Sequence, residues 1–372
     1  MSEQFGATYF VKNAILGKVA MAVRVLVVDD SALMRQIITR MLSEDPAIEV
    51  VGTAFDGSDA LDKVRRWNPD VVTLDVEMPN LNGLECLRQL MDTQPLPVIM
   101  VSYLTTTGAE STLKALELGA IDFVTKSTSK DPLEIATIQN ELIQKVKIAA
   151  AIDRSTLNRA IVSDLQRSDL TKLPPLKIKG LDLMIIGSST GGPRALHQLL
   201  ARIPVDFPLG IVVAQHMPKD FTKVFAKRLN DIIPVEVSEG KTGDEVKPGR
   251  VLIAPSGKQT TLQWVSDRLI LEVSEQPNLL YKPSIDHLFK SAAACCEGQV
   301  LGILLTGMGA DGAQGLLELR KLGARTIAEA EATCVVYGMP RAAAEIGAAE
   351  FVEGLPDVLP RVIAIIQEHQ NL

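Results

Sequence analysis

Ser189 lies in the segment IIGSSTGGPRAL, residues 185–196, where an apolar run gives way to small residues and then to a helical pattern. A serine between glycines at such a corner allows three interpretations: a nucleophile on a sharp turn, a phosphate-binding loop, or a tight connection without chemistry. The segment has neither the G-x-G-x-x-G spacing nor the Lys-Ser/Thr pair of a Walker loop, which makes nucleotide binding the weakest interpretation. It does match G-x-S-x-G, a pattern short enough to recur by chance.

A serine hydroxyl is a weak nucleophile at neutral pH unless an imidazole accepts its proton and a carboxylate orients that imidazole. The chain has four histidines, and His216 is the one that directly follows an apolar run, GIVVAQ. His197 and His287 fall within helical patterns, and His369 lies in a polar C-terminal tail. A suitable carboxylate, Asp311, follows another apolar run in LLTGMGADGA.

The candidate triad of Ser189, His216 and Asp311 has one feature in common: each residue comes just after a predicted parallel strand. Parallel strands collect functional groups at their carboxyl ends, so we expect the three side chains to meet at one sheet edge. The glycines of TGMG permit close backbone approach, so a main-chain N–H near Met308, or one from the Ser189 turn, is expected to bind an oxyanion. The order Ser, His, Asp differs from that of ordinary α/β-hydrolases.

A second set of polar residues follows the strands predicted near the N-terminus. Asp29 and Asp30 end the first strand, Asp75 ends the third, and Ser102 and Lys126 end the fourth and fifth. Carboxylates this close repel one another unless a hard cation such as Mg²⁺ lies among them. Helix capping by the two N-terminal aspartates is the alternative, but it leaves the hydroxyl and the ammonium group unexplained. Together the five groups suit a phosphoryl-aspartate site.

These strand ends belong to two predicted domains. Residues 23–150 alternate five β-branched runs with helical segments, which predicts a doubly wound, five-stranded parallel α/β sheet. Residues 181–372 predict a second, mainly parallel α/β domain with a β-ribbon insertion around RVLIAPSGKQTTLQWVSDRLILEV. Residues 151–180 are polar and Pro-broken and are predicted to be an interdomain linker, whereas residues 1–22 are interpreted as an N-terminal extension without assigned function.

The composition narrows the class of protein. The chain has 372 residues, 47% of them hydrophobic, and a formal net charge of −7, which disfavours nucleic-acid binding. Four cysteines without a C-x-x-C pair predict free thiols rather than disulfides or a zinc site. No apolar run approaches the roughly 20 residues that span a bilayer, so we expect a cytoplasmic protein and not an integral membrane protein.

The first predicted domain resembles the response-regulator receiver family over residues 23–146. The matching stretches are VLVVDDS, DVVTLDVEMPNLNGLE, VIMVS and GAIDFVTKS. The resemblance implies that Asp75 accepts the phosphoryl group, that Asp29 and Asp30 bind Mg²⁺ together with Asp75, and that Ser102 and Lys126 sense the phosphorylated state. One position departs from the family pattern, because Ser127 stands where receivers usually have proline.

The second domain, joined to this receiver, resembles the chemotaxis protein-glutamate methylesterase and protein-glutamine glutaminase family. The matching stretches are IGSSTGGP, VVAQHMP, FAKRLN, PSIDHLF, LLTGMGADGA and AEATCVVYGMPRAA. The family's catalytic residues fall on Ser189, His216 and Asp311. Ser188 and Ala310 stand where members commonly have alanine and asparagine. Both flank the triad without replacing it, and we expect activity to survive.

The resemblance implies a phosphorylation-activated enzyme. Its substrates would be glutamate methyl esters and glutamines on the cytoplasmic helices of methyl-accepting chemoreceptors, and its phosphodonor a chemotaxis histidine kinase. The unphosphorylated receiver would obstruct the catalytic face, and the esterase reaction would need no cofactor. A non-catalytic signalling adaptor and a phospho-regulated hydrolase of small esters are the alternatives, and a monomer is the expected state.

Overall fold

The computed structural model describes residues 22–103, 105–126, 131–152, 181–296 and 299–370. Of these, 22–103 and 118–152 form one compact unit, and 105–117 and 181–370 form the other. Most of the predicted N-terminal extension and of the predicted linker, and the Ser127 position, lie outside the described residues. The predicted domain limits therefore stay a prediction.

The N-terminal sheet has five parallel strands in the order β2-β1-β3-β4-β5, which confirms the predicted doubly wound fold. Its strands are β1 (Val23–Val28), β2 (Ile48–Ala54), β3 (Val71–Asp75), β4 (Val98–Tyr103) and β5 (Asp122–Lys126). The helices along this part of the chain are α1 (Ala32–Ser43), α2 (Gly57–Trp67), α3 (Gly83–Thr93), α4 (Thr106–Glu117) and α5 (Pro132–Ala151). Asp56, Asn82 and Asp131 cap α2, α3 and α5 through their side chains, as short polar residues do at helix starts.

The C-terminal sheet has seven parallel strands in the order β14-β13-β12-β6-β7-β9-β8. They are β6 (Leu183–Ser188), β7 (Gly210–Gln215), β8 (Glu236–Glu239), β9 (Arg250–Ile253), β12 (Val300–Leu304), β13 (Arg325–Glu329) and β14 (Phe351–Glu353). The helices are α6 (Gly192–Leu200), α7 (Phe221–Ile232), α8 (Ile285–Cys296), α9 (Ala313–Lys321), α10 (Met339–Glu345) and α11 (Leu355–Gln370). None of the described helices is both long and apolar enough to cross a membrane.

The ribbon is shorter than the sequence predicts. β10 (Gln259–Val265) and β11 (Arg268–Ser274) pair antiparallel, but RVLI at the start of the predicted hairpin region instead forms β9. β9 pairs in parallel with both β7 and β8. Its residues are buried after the first, so a place between two strands of the main sheet buries more apolar surface than a hairpin would.

The strand order determines where chemistry can gather. β6 lies in the middle of the sheet, with β7 on one side and β12 on the other. The chain leaves β6 in one direction to reach β7 and returns on the opposite side as β12, which makes the carboxyl end of β6 a topological switch point. In parallel α/β sheets, ligands and catalytic groups occupy the crevice at such a point.

The core beneath this point depends on α8, whose Phe289 is fully buried. We expect Phe289→Ala to lower the free energy of unfolding by about 3–5 kcal/mol, because it removes a large buried ring and leaves a cavity. Urea unfolding followed by Trp264 fluorescence in a Trp67→Phe background measures the change. Leu322→Ala, at a half-exposed position, is the control and should change the free energy of unfolding by less than about 0.5 kcal/mol.

Candidate functional site

Ser189 follows the last residue of β6 and lies on a sharp turn into α6. Its N–H donates to the carbonyl of Thr306 at 3.0 Å, and its carbonyl accepts from Gly192 at 2.7 Å. Gly191 caps α6 with φ of 79°, a left-handed conformation that favours glycine. The glycines of GSSTGG thus bend the chain sharply enough to hold the serine at the sheet edge.

The loop after β12 packs against this serine. At Gly307 a Cβ atom would lie 2.8 Å from the Cβ of Ser189 and 2.3 Å from the Sδ of Met339, so a side chain has no room there. Met308, the predicted oxyanion residue, is the next residue in this loop. The structure therefore brings the predicted oxyanion segment next to the predicted nucleophile.

His216 and Asp311 form the pair that the sequence predicts. Imidazole Nε2 lies 2.9 Å from Oδ2 of Asp311, with both side chains mostly buried. The backbone N–H of His216 donates to the carbonyl of Ser188 at 3.0 Å, which ties the residue to the end of β6. Because Asp311 holds Nε2, Nδ1 is the ring nitrogen left to accept a proton. In the part of the chain that the structure describes, the Ser189 hydroxyl makes no hydrogen bond to the ring.

Asp311 is fixed by the N-terminus of α8. Its carboxylate accepts hydrogen bonds from the backbone N–H groups of Ile285 at 2.8 Å and Asp286 at 3.0 Å, and from the Ser284 hydroxyl at 3.1 Å. Burial by itself raises the pKa of Asp311, but the contact with His216 and the two backbone donors outweigh burial and lower it. The favourable end of the helix dipole adds to this effect. Asp311 is therefore held ionised beside the imidazole.

Gln215 links the nucleophile turn to the base and was not identified from the sequence. Its amide Nε2 donates to the carbonyls of Ser189 and His216, both at 2.9 Å, and its Oε1 accepts from the Ser188 hydroxyl at 2.6 Å. Gln215 and Ser188 are almost fully buried. A polar residue that ends an otherwise apolar strand, directly before the candidate base, is the sequence signal that could have revealed it.

Tyr281 is the second residue that sequence reasoning missed. Its ring stacks on His216 with centroids 4.3 Å apart and planes 10° from parallel. It lies between β11 and α8, three residues before Ser284, whose hydroxyl contacts Asp311. The matching stretch PSIDHLF begins two residues after Tyr281, so the motif marks the neighbourhood although not the ring itself.

The N-terminal sheet gathers the predicted acidic cluster at its own carboxyl edge. One carboxylate oxygen from each of Asp29, Asp30 and Asp75 lies within 4.8 Å of the others. Lys126 Nζ lies 2.7 Å from both Asp29 Oδ2 and Asp75 Oδ2. Burial raises the pKa of Asp75 to about 6, although Lys126 acts in the opposite direction. Three clustered hard oxygen donors suit Mg²⁺.

Ser102 also reaches this edge, because its neighbour Val101 pairs with Asp75 across β3 and β4. Its hydroxyl is directed to the Tyr103 carbonyl at 3.4 Å rather than to a carboxylate. All five residues predicted for the phosphoryl site are thus at one edge, with four of them buried and Asp30 exposed.

Comparisons with known proteins find matches to both parts of the chain. A family model described as CheB methylesterase matches residues 184–362, and one described as response regulator receiver domain matches residues 25–138. A protein-glutamate methylesterase/protein-glutamine glutaminase of Oleidesulfovibrio alaskensis is 42% identical over 92% of this chain and 98% of its own. The chain belongs to this methylesterase/glutaminase family.

A second family member, from Symbiobacterium thermophilum, is 44% identical over 93% of this chain and 98% of its own length. Among solved structures, the crystal structure of the Thermotoga maritima CheB methylesterase catalytic domain matches 50% of this chain and 100% of that domain, with 35% identity and a TM-score of 0.49.

Ala310 and Ser188, the two departures from the methylesterase pattern, differ in their surroundings. Ala310 is exposed and precedes Asp311 without entering the contacts of its carboxylate. Ser188 is buried and donates to Gln215, so this family member has a hydroxyl where the resemblance leads us to expect a methyl group. The hydroxyl orients the Gln215 amide through a short hydrogen bond.

In this methylesterase-family domain, a buried carboxyl group is linked to the Ser189 turn through Thr306. Glu329, at the end of β13, accepts from the Thr306 N–H at 2.8 Å and from the Thr333 hydroxyl at 3.0 Å. The Thr306 hydroxyl in turn donates to the carbonyl of Thr190 at 3.0 Å. Burial raises the pKa of Glu329 to about 7, and the hydrogen bonds it accepts only partly offset this.

This raised pKa predicts a pH-dependent stability. An unfolded Glu329 releases its proton near its usual pKa of 4.5, whereas the folded group keeps it until about pH 7, so its contribution to stability falls between these values. Glu329→Gln should leave stability at pH 4.5 almost unchanged and raise it by about 3 kcal/mol at pH 8. Urea unfolding at both pH values measures this. The exposed Glu331→Gln is the control, and an equal response of both variants would contradict the assignment.

Proposed function

We propose that this chain hydrolyses glutamate γ-methyl esters on chemoreceptors, with release of methanol, and deamidates receptor glutamines to glutamate. The observation that carries the proposal is the His216–Asp311 pair, fixed at the sheet edge where the Ser189 turn meets the TGMG loop. The targets are the cytoplasmic helices of methyl-accepting receptors, so we place the enzyme in the cytoplasm. Phosphorylation of its receiver controls the rate.

The reaction begins with attack of the Ser189 hydroxyl on the ester carbonyl. Its proton moves to Nδ1 of His216, because Nε2 is held by Asp311, and the ionised carboxylate stabilises the resulting imidazolium. The N–H of Met308, or one from the turn that follows the serine, donates to the developing oxyanion. The proposed assignment of these roles follows from their positions at the ends of β6, β7 and β12.

Collapse of this intermediate passes the imidazolium proton to the leaving methoxide, which departs as methanol and leaves an ester on Ser189. Water then attacks the acyl-enzyme with His216 as base, and the products are a glutamate side chain and the free serine. With glutamine as substrate, the leaving group is ammonia and the remaining steps are the same. These steps call for no cofactor at this site. A non-catalytic adaptor would not need an oriented imidazole and a held carboxylate.

The nucleophile is tested by Ser189→Ala. We expect methanol release from methylated receptor membranes to fall by about 10⁴-fold or more, because the acyl-enzyme cannot form. Gas chromatography of released methanol measures it, and labelling by a fluorophosphonate probe should disappear in parallel. Ser43→Ala, in the last turn of α1, is the control. Undiminished methanol release by Ser189→Ala would refute the mechanism. If the wild type released methanol from small esters and none from receptor membranes, the alternative of a small-ester hydrolase would be favoured.

For the receiver, we propose that Asp75 accepts a phosphoryl group from a chemotaxis histidine kinase. Asp29, Asp30 and Asp75 would hold Mg²⁺, which neutralises charge on the transferring oxygens when it is bound. Lys126, whose Nζ lies 2.7 Å from Asp75 Oδ2, would pair with a phosphoryl oxygen, and Ser102, the neighbour of the residue that pairs with Asp75, would bind another. These two residues would report phosphorylation, which relieves inhibition by the receiver.

Asp75→Asn is expected to abolish incorporation of ³²P from the phosphorylated kinase, since an amide cannot form an acyl phosphate. The variant should also lose the rise in methanol release that the kinase produces, while its basal rate stays at the unphosphorylated level. Asp92→Asn, an exposed carboxyl in α3, serves as the matched control. Normal ³²P incorporation into Asp75→Asn would place the acceptor elsewhere.

A further inference from the structure

An exposed apolar segment adjoins the candidate catalytic base. Between β11 and α8, Leu280 has 89% of its surface exposed, and its neighbour Leu279 has 40% exposed. Tyr281, the next residue, is 36% exposed on one side and stacks on His216 on the other. We call residues 279–281 the Leu280 strap. Single exposed leucines are common, but Leu280 directly precedes Tyr281, whose ring contacts the His216 imidazole.

The strap is held in place by buried polar groups. Gln259, which is 1% exposed, donates through Nε2 to the Tyr281 carbonyl at 2.8 Å and accepts the Ser284 N–H at 2.9 Å. The Gly257 N–H donates to the Lys282 carbonyl at 3.0 Å. The exposed leucine is therefore presented by a fixed backbone, and binding to it would need little ordering of the strap.

Three lysines border the strap. Lys282 follows it directly, and Lys258 follows Gly257, whose N–H is bonded to Lys282. The aliphatic part of Lys219 lies 3.3 Å from where a Cβ of Gly257 would be. Among the described residues, none of these ammonium groups forms a salt bridge with a carboxylate. The edge beside His216 thus presents exposed apolar side chains with lysine residues next to them.

We propose that the Leu280 strap and these lysines dock an acidic amphipathic helix of the substrate protein, with the reactive glutamyl side chain directed to Ser189. The proposal rests on the proposed function, because the substrate class comes from there. Product glutamates on such a helix are anionic and match the lysines, while apolar side chains three or four positions from the reactive residue lie on its same face and reach Leu280. The strap then determines which glutamyl residues are presented.

The test separates docking from chemistry. Leu280→Ser is compared with the full-length wild type on two substrates: methylated receptor membranes, and a single blocked residue, the γ-methyl ester of N-acetylglutamyl amide. We expect KM for the receptor to rise about tenfold, because a large exposed anchor is lost, with kcat for the small ester unchanged. Leu322→Ser makes the same change at a 54% exposed leucine between α9 and β13, at the opposite edge of the sheet.

A charge variant tests the lysines separately. Lys258→Glu should raise KM for receptor membranes and weaken its dependence on ionic strength, since a favourable long-range attraction is lost. Lys321→Glu changes the net charge equally at the edge opposite His216 and should leave the KM at the wild-type value. Small-ester hydrolysis should be the same in all of these chains.

Three results would overturn the docking assignment. The first is an equal receptor KM for Leu280→Ser and Leu322→Ser, and the second is an equal change in small-ester turnover and receptor turnover in Leu280→Ser. The third is a wild-type dimer that Leu280→Ser converts to monomers, which would assign the strap to a second copy of the chain. Failure of the proposed function itself is distinct: the wild type would then cleave the small ester but release no methanol from receptor membranes.

Discussion

The geometry of the catalytic edge depends on one interaction, the binding of the Asp311 carboxylate at the N-terminus of α8. Asp311 enters from the loop after β12 and meets the first N–H groups of α8, with the Ser284 hydroxyl beside them. A helix N-terminus leaves its first amides without partners inside the helix, so a carboxylate there satisfies both partners. This contact keeps Asp311 ionised despite its burial and fixes the oxygen that orients His216.

A buried polar framework holds the other parts of the site to this anchor. Gln215 bridges the carbonyls of Ser189 and His216, and Thr306 bridges the Ser189 turn to Glu329. Partly satisfied networks of this kind are costly in a low-dielectric interior, whereas satisfied ones impose a single geometry. The framework therefore fixes the relative positions of three loops that follow three different strands, which is what a preorganised hydrolytic site requires.

The N-terminal edge shows the opposite electrostatic design. Three carboxylates lie within 4.8 Å of one another, with one buried lysine between two of them. Their mutual repulsion and the burial of Asp75 make the cluster favourable only with added positive charge, and that same condition makes it responsive to a change of charge. In the catalytic domain, a helix end and an imidazole contact the Asp311 carboxylate, so the charge of that carboxylate is already compensated.

The sequence by itself determined the class of fold, most of its strands, and the positions of Ser189, His216 and Asp311 at strand ends, because apolar runs followed by single polar residues mark the carboxyl ends of buried parallel strands. It could not assign RVLI to the main sheet, since a short apolar strand looks the same in a ribbon and in a parallel sheet until its neighbours are known. The sequence also could not predict the contacts that Gln215 and Tyr281 make with the catalytic segment. Their roles come from contacts between segments far apart in the chain, and only the tertiary structure decides which side chains those contacts bring together.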